Sequence, residues 1–436
     1  MKRLLLLVPK CEGPYRQKKW NECWPDDVES LVTQNIWRLV TPGVLVLSKL
    51  AEETGIYDVQ LVDEEFQKLD LTQKYDLVAM YTVTPNANRA YELAEYYKMQ
   101  GTYVVFGGVH ATVCPNEAGK YADTILIGEA EHIWPMFLKD FQMNVAGKIY
   151  SQPLGEVDIN SSPVPSFHLL PVNARKLIPI QTARGCPHGC KFCNLRSLYG
   201  KQYRAKKIES IEKEIEVVKQ INPHAVIYFT DDNLFCNRAH AETLMQKVSE
   251  YNLTWYANTD ISFGSDLEKI KMAYKCGCRQ VLIGFESVNP ANLKGLDESS
   301  FKSQSFSYYK EYIKNIQSCG IGVVGSFILG LDEDDEDVFD KTIEFILDTK
   351  LYGASVTLNT PYPGTMSFEA MNYENRILTY NWNRYTIFNP VIIPKKMTVE
   401  QLNEGYLRVL RTINSPENIK DKVNYFKEIM RNKKND

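Results

Sequence analysis

Along the first third of the chain, short apolar runs alternate with longer stretches in which apolar residues recur at helical spacing. "RLLLLVP" opens the series as a buried strand, and "GVLVLSKLAEETG" follows with a helical period closed by Gly55. "DVQLVD" (58–63), "YDLVAMYTV" (75–83), "GTYVVFGG" (101–108) and "DTILIGE" (123–129) read as further strands, with "NANRAYELAEYYKMQ" as a helix between two of them. Strands that are apolar throughout are buried on both faces. Five of them, with helices between, predict a parallel doubly wound sheet over residues 1–150. Such a sheet takes its ligand beyond the carboxyl ends of its strands, where Thr82, Val83, Thr84, Pro85 and Asn86 fall at one end and Gly107 and Gly108 at another.

From 151 to 175 the periodicity stops in "SQPLGEVDINSSPVPSFHLLPVNAR", rich in Pro and Ser, which reads as a linker. A second series fills 176–370: "KLIPIQTAR", "AVIYFTDDN", "TWYANTD", "QVLIGFES", "GIGVVGSFILG" and "GASVTLNTP" as strands, with helices such as "IESIEKEIEVVKQI" and "DVFDKTIEFILDT" in the gaps. Six β-α units predict a partial (β/α)6 barrel, short of the eight that would close one, with its chemistry at the carboxyl ends of the strands. The remaining 371–436 mixes aromatics ("YNWNRYTIFNP") with a final helix, a small α-rich region placed to wrap the barrel opening. Trp382, Arg384, Tyr385 and Phe388 there are candidates to line a substrate, core packing being the ordinary alternative.

Composition narrows the function. With 44% hydrophobic and 24% charged residues a packed core is expected rather than disorder. The net charge of −4 offers no broad basic face, which argues against a nucleic-acid partner. The apolar run Leu4–Val8 is too short for a signal-peptide core, and no stretch approaches the roughly 18 apolar residues of a membrane helix. A soluble cytoplasmic protein without a membrane partner is expected. Ten cysteines are many for that compartment, and most are scattered. Three gather in "RGCPHGCKFCN": Cys186, Cys190 and Cys193. A disulfide would leave one thiol over and be reduced, while structural zinc needs four ligands. The "CGC" at Cys276–Cys278 lies elsewhere, at a predicted helix-to-strand junction. C-x3-C-x2-C suits three corners of a [4Fe–4S] cube, leaving the fourth iron open as a catalytic metal site does. The loop follows the first barrel strand, so it lies on the predicted active rim.

With Phe192 before the last cysteine, this motif in this context resembles the radical S-adenosylmethionine (SAM) enzymes. The resemblance implies that SAM chelates the open iron through its amino and carboxylate groups. Reductive cleavage then yields a 5′-deoxyadenosyl radical, with an electron donor such as flavodoxin or ferredoxin as partner. Asp231 and Asp232 in "FTDDN" match the positions that bind the SAM amino group, with a helix cap as the alternative role. Glu286 and Ser287 in "GFES" match the ribose side, and Gly325 in "GVVGSFILG" the adenine side, unless that glycine only eases strand packing.

The first domain resembles the flavodoxin- or Rossmann-like cobalamin-binding domain that precedes the barrel in one large radical SAM subgroup. The likeness rests on domain order and on "VVFGGVHATVCPNEA" followed by "ADTILIGEAE". It implies that Gly107 and Gly108, with Val109 and His110 on the turn after them, accommodate the nucleotide tail. Gly128, Glu129 and Glu131 match the subgroup's "GE-x-E". One departure stands out: the loop after the first strand, "PKCEGPYRQKKW", holds no histidine to ligate cobalt. Residues 82–86 or a water are then expected on the lower face of cobalt, and His110 is expected to pack or touch the tail instead. The function implied is a cobalamin-dependent radical SAM methyltransferase acting on an unactivated carbon of a small-molecule or peptide substrate. Two alternatives stay open: the same cofactors without methyl transfer (ring formation, contraction or oxidation), and a non-catalytic iron–sulfur or corrinoid carrier or sensor.

Overall fold

The computed structural model describes residues 1–11 and 39–435. The opening apolar run is strand β1 (Lys2–Val8), flanked on both sides by parallel partners, β2 (Tyr57–Asp63) and β3 (Leu77–Tyr81). β4 (Tyr103–Gly107), β5 (Thr124–Ile127) and β6 (Ile149–Ser151) complete the order β2-β1-β3-β4-β5-β6. All pairs are parallel, as expected. The sixth strand is an addition to the five read from sequence: three residues with neither flank buried carry no apolar run, and backbone pairing with β5 alone defines it.

Side chains of β1 alternate between two cores, as the two-residue period dictates. Leu4, Leu6 and Val8 face one, with the helix Pro42–Glu52 and the helix Ile133–Gln142, and this core runs through Phe167, Leu170 and Ala174 into that of the barrel. The stretch 151–175 is therefore no free linker. Val157, Ile159, Phe167, Leu170 and Ala174 within it are buried, the last three in the core that joins the two sheets. Leu5 and Leu7 face the second core, which includes the helix Ala87–Met99 and also Met371, Trp382, Tyr385, Val391 and Ile392. The C-terminal region thus divides: these five residues pack on the first sheet, while Leu358 N–H at the end of the strand Gly353–Leu358 donates to Ile387 O at 2.8 Å and Phe388, Leu402 and Tyr406 join the other core.

The second sheet holds β7 (Leu177–Ile180), β8 (Val226–Phe229), β9 (Thr254–Thr259), β10 (Cys278–Glu286), β11 (Gly322–Leu329) and β12 (Gly353–Leu358). All six are parallel and adjacent in chain order, and among the described residues the sheet stays open between β7 and β12. This is the six-unit partial barrel. Among the described residues no helix is long and apolar enough to cross a membrane.

Candidate active site

The cysteine loop is held at its base and on both flanks. Ala183–Arg184 pairs antiparallel with Arg204–Ala205, closing the excursion that carries the thiols. Thr182 and Ala183 donate their backbone N–H groups to Asp231 at 2.6 and 3.0 Å, and the Thr182 hydroxyl donates to the same carboxylate. Gly185, in the left-handed region at φ +100°, donates its N–H to Asp232 at 3.0 Å. Beyond the thiols, Asn194 donates to Pro363 O at 2.8 Å and Ser197 to Gly364 O at 2.6 Å, while Ser367 N–H reaches Lys191 O. The loop at 362–367 therefore braces the far side.

Cys186, Cys190 and Cys193 are half-buried, and each lies within electrostatic reach of another. Burial pushes Cys186 upward, Cys190 up to about 12 and Cys193 up to about 11, the Lys302 ammonium pulling the other way at Cys186 and Cys190. Thiols in such surroundings ionise on meeting a metal cation, because ligation requires the thiolate. Among the described residues no three His, Cys, Asp or Glu side chains close around a single ion. A zinc ion with Zn–S bonds of about 2.3 Å would need them that close, whereas the corners of a cube place each thiolate on its own iron. The donor set fits the cluster. Cys278 pairs in register with Trp255 at the amino end of the strands, opposite the rim, and both Cys276 and Cys278 are buried, so that pair is remote from the loop. Cys236 was read as scattered, yet its thiol lies within electrostatic reach of Cys186.

His188, between the first two cysteines, stacks on Phe301 with ring centroids 4.2 Å apart, and its Nε2 meets Asp260 at 2.8 Å. Asp260 ends β9 and also accepts from Asn233 at 2.7 Å and from Ser262. Burial alone would raise this carboxyl, but the donors outweigh it and hold it down at about 2. No local sequence pattern linked these residues; β9 brings Asp260 to the loop.

The residues matched to SAM separate into two groups. Asp231 is 1% exposed and engaged by residues 182 and 183, so it shapes the loop; the helix after it is capped by Asn237 instead. Asp232 is only partly buried and uses one oxygen on Gly185, leaving the carboxylate at the rim. Burial lifts the two carboxyls to about 7 and about 6, respectively. At the end of β10 a register shift between Gly284 and Glu286 puts Glu286 in the left-handed region at φ +65°. Its Oε1 accepts from Lys302 Nζ at 2.9 Å, and Lys302 also donates to Gly284 O. Lys302 was missed by the sequence reading, lying on a short helix with no motif around it. The Ser287 hydroxyl accepts from Asn289 N–H at 3.0 Å within the following turn. At Gly325 a Cβ would meet Phe327 at 2.8 Å, Leu351 at 2.9 Å and Phe285 at 3.1 Å, so strand packing, the alternative given for this glycine, already demands it.

In the first domain the edge is more self-contained than expected. The Thr82 hydroxyl donates to Gly107 O and accepts from Ala111 N–H, and Asn86 donates to Pro9 O, so both side chains hold the edge of the sheet together. Thr84 meets His110 Nδ1 at 3.2 Å, and His110 Nε2 meets Tyr91 at 3.0 Å. His110 is fully buried and packs edge-on to Trp382. Gly108, at φ +95°, would bring a Cβ to 2.7 Å from Thr82 O, so it is required by the backbone itself. Gly107 meets only Leu126 at 3.7 Å and, with half-buried Val83, Pro85 and Val109, leaves accessible ground. Tyr81 at the end of β3 lies within electrostatic reach of Tyr199 beside the cysteine loop. Glu129 and Glu131, assigned to the corrinoid, instead pair with arginines: Arg184 bridges both, at 2.5 Å to Glu129, and Arg204 meets Glu129 at 2.9 Å. Gly128 precedes them at φ +88°. Most of the histidine-free loop lies outside the described residues. Trp382, Tyr385 and Phe388 are buried in the core, the ordinary alternative given for them, and Arg384 among them is half-buried.

A family profile described as the radical SAM superfamily matches residues 180–346, the stretch holding the cysteine loop, β8, β9, β10 and β11. The chain is 30% identical over 406 residues to bacteriochlorophyllide d C-12(1)-methyltransferase of Chlorobaculum tepidum, covering 91% of this chain and 87% of that one. The chain belongs to the radical SAM superfamily. Within it, the fold is that of TsrM from Kitasatospora setae, a radical SAM methyltransferase solved with cobalamin and a [4Fe–4S] cluster (TM-score 0.65, 15% identity, 87% of this chain and 79% of that one). The cobalamin-dependent SAM radical enzyme OxsB shares it as well (TM-score 0.62, 13% identity, 96% and 61%).

Proposed function

We propose that this protein is a cobalamin-dependent radical SAM methyltransferase that methylates an unactivated carbon of a small-molecule or peptide substrate. The observation that carries the reading is the joint between the domains. Arg184, two residues before the first cluster cysteine, is bonded to Glu129 and Glu131 after β5, so the cysteine loop abuts the carboxyl edge of the first sheet. When bound, the cluster and SAM supply a radical that takes hydrogen from the substrate carbon, and the corrinoid supplies the methyl group.

The residues divide the work. Cys186, Cys190 and Cys193 hold three irons as thiolates, and Lys302 lends positive charge beside Cys190. Asp232 accepts from the SAM amino group at the rim. The Lys302 ammonium, already oriented by Glu286 and Gly284 O, receives the SAM carboxylate, and Glu286 keeps an oxygen for a hydroxyl. Gly107, Val83, Pro85 and Val109 would form the floor for the corrinoid, while His110 is engaged with Tyr91 and Thr84.

The test is anaerobic reconstitution with iron, sulfide and hydroxocobalamin, then turnover of methyl-labelled SAM with a metabolite extract. The expected result is a retained corrinoid spectrum, 5′-deoxyadenosine and S-adenosylhomocysteine formed together, and label in a product. Formation of 5′-deoxyadenosine without S-adenosylhomocysteine or labelled product would overturn methyl transfer and leave radical chemistry alone.

A further inference from the structure

The four-charge cluster between the domains has a role that neither the cofactor positions nor the family match assigns. Arg184 is 8% exposed in its side chain, Glu129 3% and Glu131 8%, with Arg204 at 12%. Two cations and two anions are therefore withdrawn from water together. Such networks return little net stability compared with apolar residues of the same volume; what they define is geometry. The guanidinium of Arg184 is oriented on every side: Nη1 to Glu129, Nη2 to Glu131, Nε to Gln181 at 2.8 Å, with the Tyr199 ring 5.7 Å away. Immediately after it come Gly185, pinned by Asp232, and Cys186.

The other end of the network leads into the first domain. Thr112 donates its hydroxyl to Gly108 O at 2.8 Å and accepts from Gly128 N–H at 3.1 Å. Gly108 is itself wedged against Thr82 at the end of β3. The Thr112 hydrogen bonds to Gly108 O and Gly128 N–H, the peptide bond from Gly128 to Glu129 and the ion pair of Glu129 with Arg184 thus connect the edge of the first sheet to the residue before Gly185.

We propose that Glu129, Glu131 and Arg184 form a positioning clamp by which the first domain sets the placement of the cluster-bearing loop, with Thr112 tying the clamp to the glycine turn at Gly108. These are positioning residues acting through Cys186, and the inference rests on the cluster reading only for its spectroscopic arm. Arg184→Lys keeps the charge but loses the fork that spans two carboxylates. Glu131→Gln keeps the shape and removes one charge. Thr112→Val breaks the tie without touching any charge.

Hydrogen exchange of the full chain, read before and after iron–sulfur reconstitution, measures the clamp directly. All three variants are expected to speed exchange across 184–193 by about tenfold while β1, β3, β8 and β9 keep parent rates. In reconstituted protein, the fraction of reduced cluster whose electron paramagnetic resonance spectrum shifts on adding SAM is expected to fall in Arg184→Lys and Glu131→Gln. Parent-like exchange across 184–193 in those two variants would overturn the clamp. So would acceleration spread evenly over both sheets, which would mark a loss of global stability alone. Failure of the parent to assemble a cluster would count against the proposed function, and exchange before reconstitution would still decide the clamp.

Discussion

At the barrel rim, carboxylates of the same kind behave differently because their donors differ. Asp260 gathers His188, Asn233 and Ser262 and stays ionised in a buried place, whereas burial outweighs the donors at Asp231 and Asp232. The thiols follow the same rule: without iron they are neutral, and with it they ionise. Replacing Cys186, Cys190 or Cys193 by Ala should therefore abolish the iron–sulfur absorbance and SAM cleavage. Cys276→Ala and Cys278→Ala should leave the iron count unchanged, both lying away from the rim. Cys236→Ala is the sharper control, since its thiol approaches Cys186 from the turn after β8. An unchanged count of iron and sulfide per chain is expected there; a loss would make Cys236 a fourth ligand and close the open iron.

At the scale of elements, the ends of the barrel strands are built from turns that return to bind themselves. After β11, Asp334 accepts from Gly330 N–H and Leu331 N–H, both at 3.0 Å, and from Asn292 at 2.6 Å, and it is fully buried. Burial nevertheless raises its carboxyl to about 7. The sign of the pH dependence follows. Between about pH 4, where the unfolded carboxyl ionises, and about pH 7 the folded state binds the extra proton, so this group's contribution to stability declines as pH rises. Asp334→Asn, which does not titrate, loses about 1 kcal/mol from a mismatched amide facing Asn292. Urea unfolding at a series of pH values should show the parent's advantage over Asp334→Asn shrinking from pH 4 to 7 and levelling above it. A gap that is constant across this range would mean that Asp334 is ionised throughout.

For the molecule as a whole, the two sheets and the C-terminal region are one packed body. Trp382 is 7% exposed in the second core, donates Nε1–H to Glu117 at 2.7 Å and sits edge-on to His110 with centroids 5.5 Å apart. Trp382→Ala should cost about 3–5 kcal/mol from the cavity it leaves. The expected outcome in thermal melts is a large fall in the midpoint, with cluster binding in the remaining folded protein preserved. If the midpoint is unchanged, the C-terminal segment contributes nothing to the first sheet.

The order of strands and helices, the two parallel sheets and the cysteine motif were legible in the sequence because each rests on local signals: apolar runs, helical periods and a spacing of thiols within one loop. What the pattern left undetermined depends on contacts between residues far apart in the chain. Nothing near Glu129 and Glu131 marks them as partners of Arg184, nothing near Lys302 marks it as the partner of Glu286, and Asp260 meets His188 only because β9 ends beside the cysteine loop. Around Gly325 and Ser287 a motif fixes a residue's place on a strand end, but the direction its side chain or empty space faces is set by the pleat, the bulge at Gly284–Glu286 and the helices packed outside. Local sequence determined which elements and which thiols this protein has; the tertiary structure decided which charges meet, because burying a charge demands an opposite one and only the assembled fold supplies it.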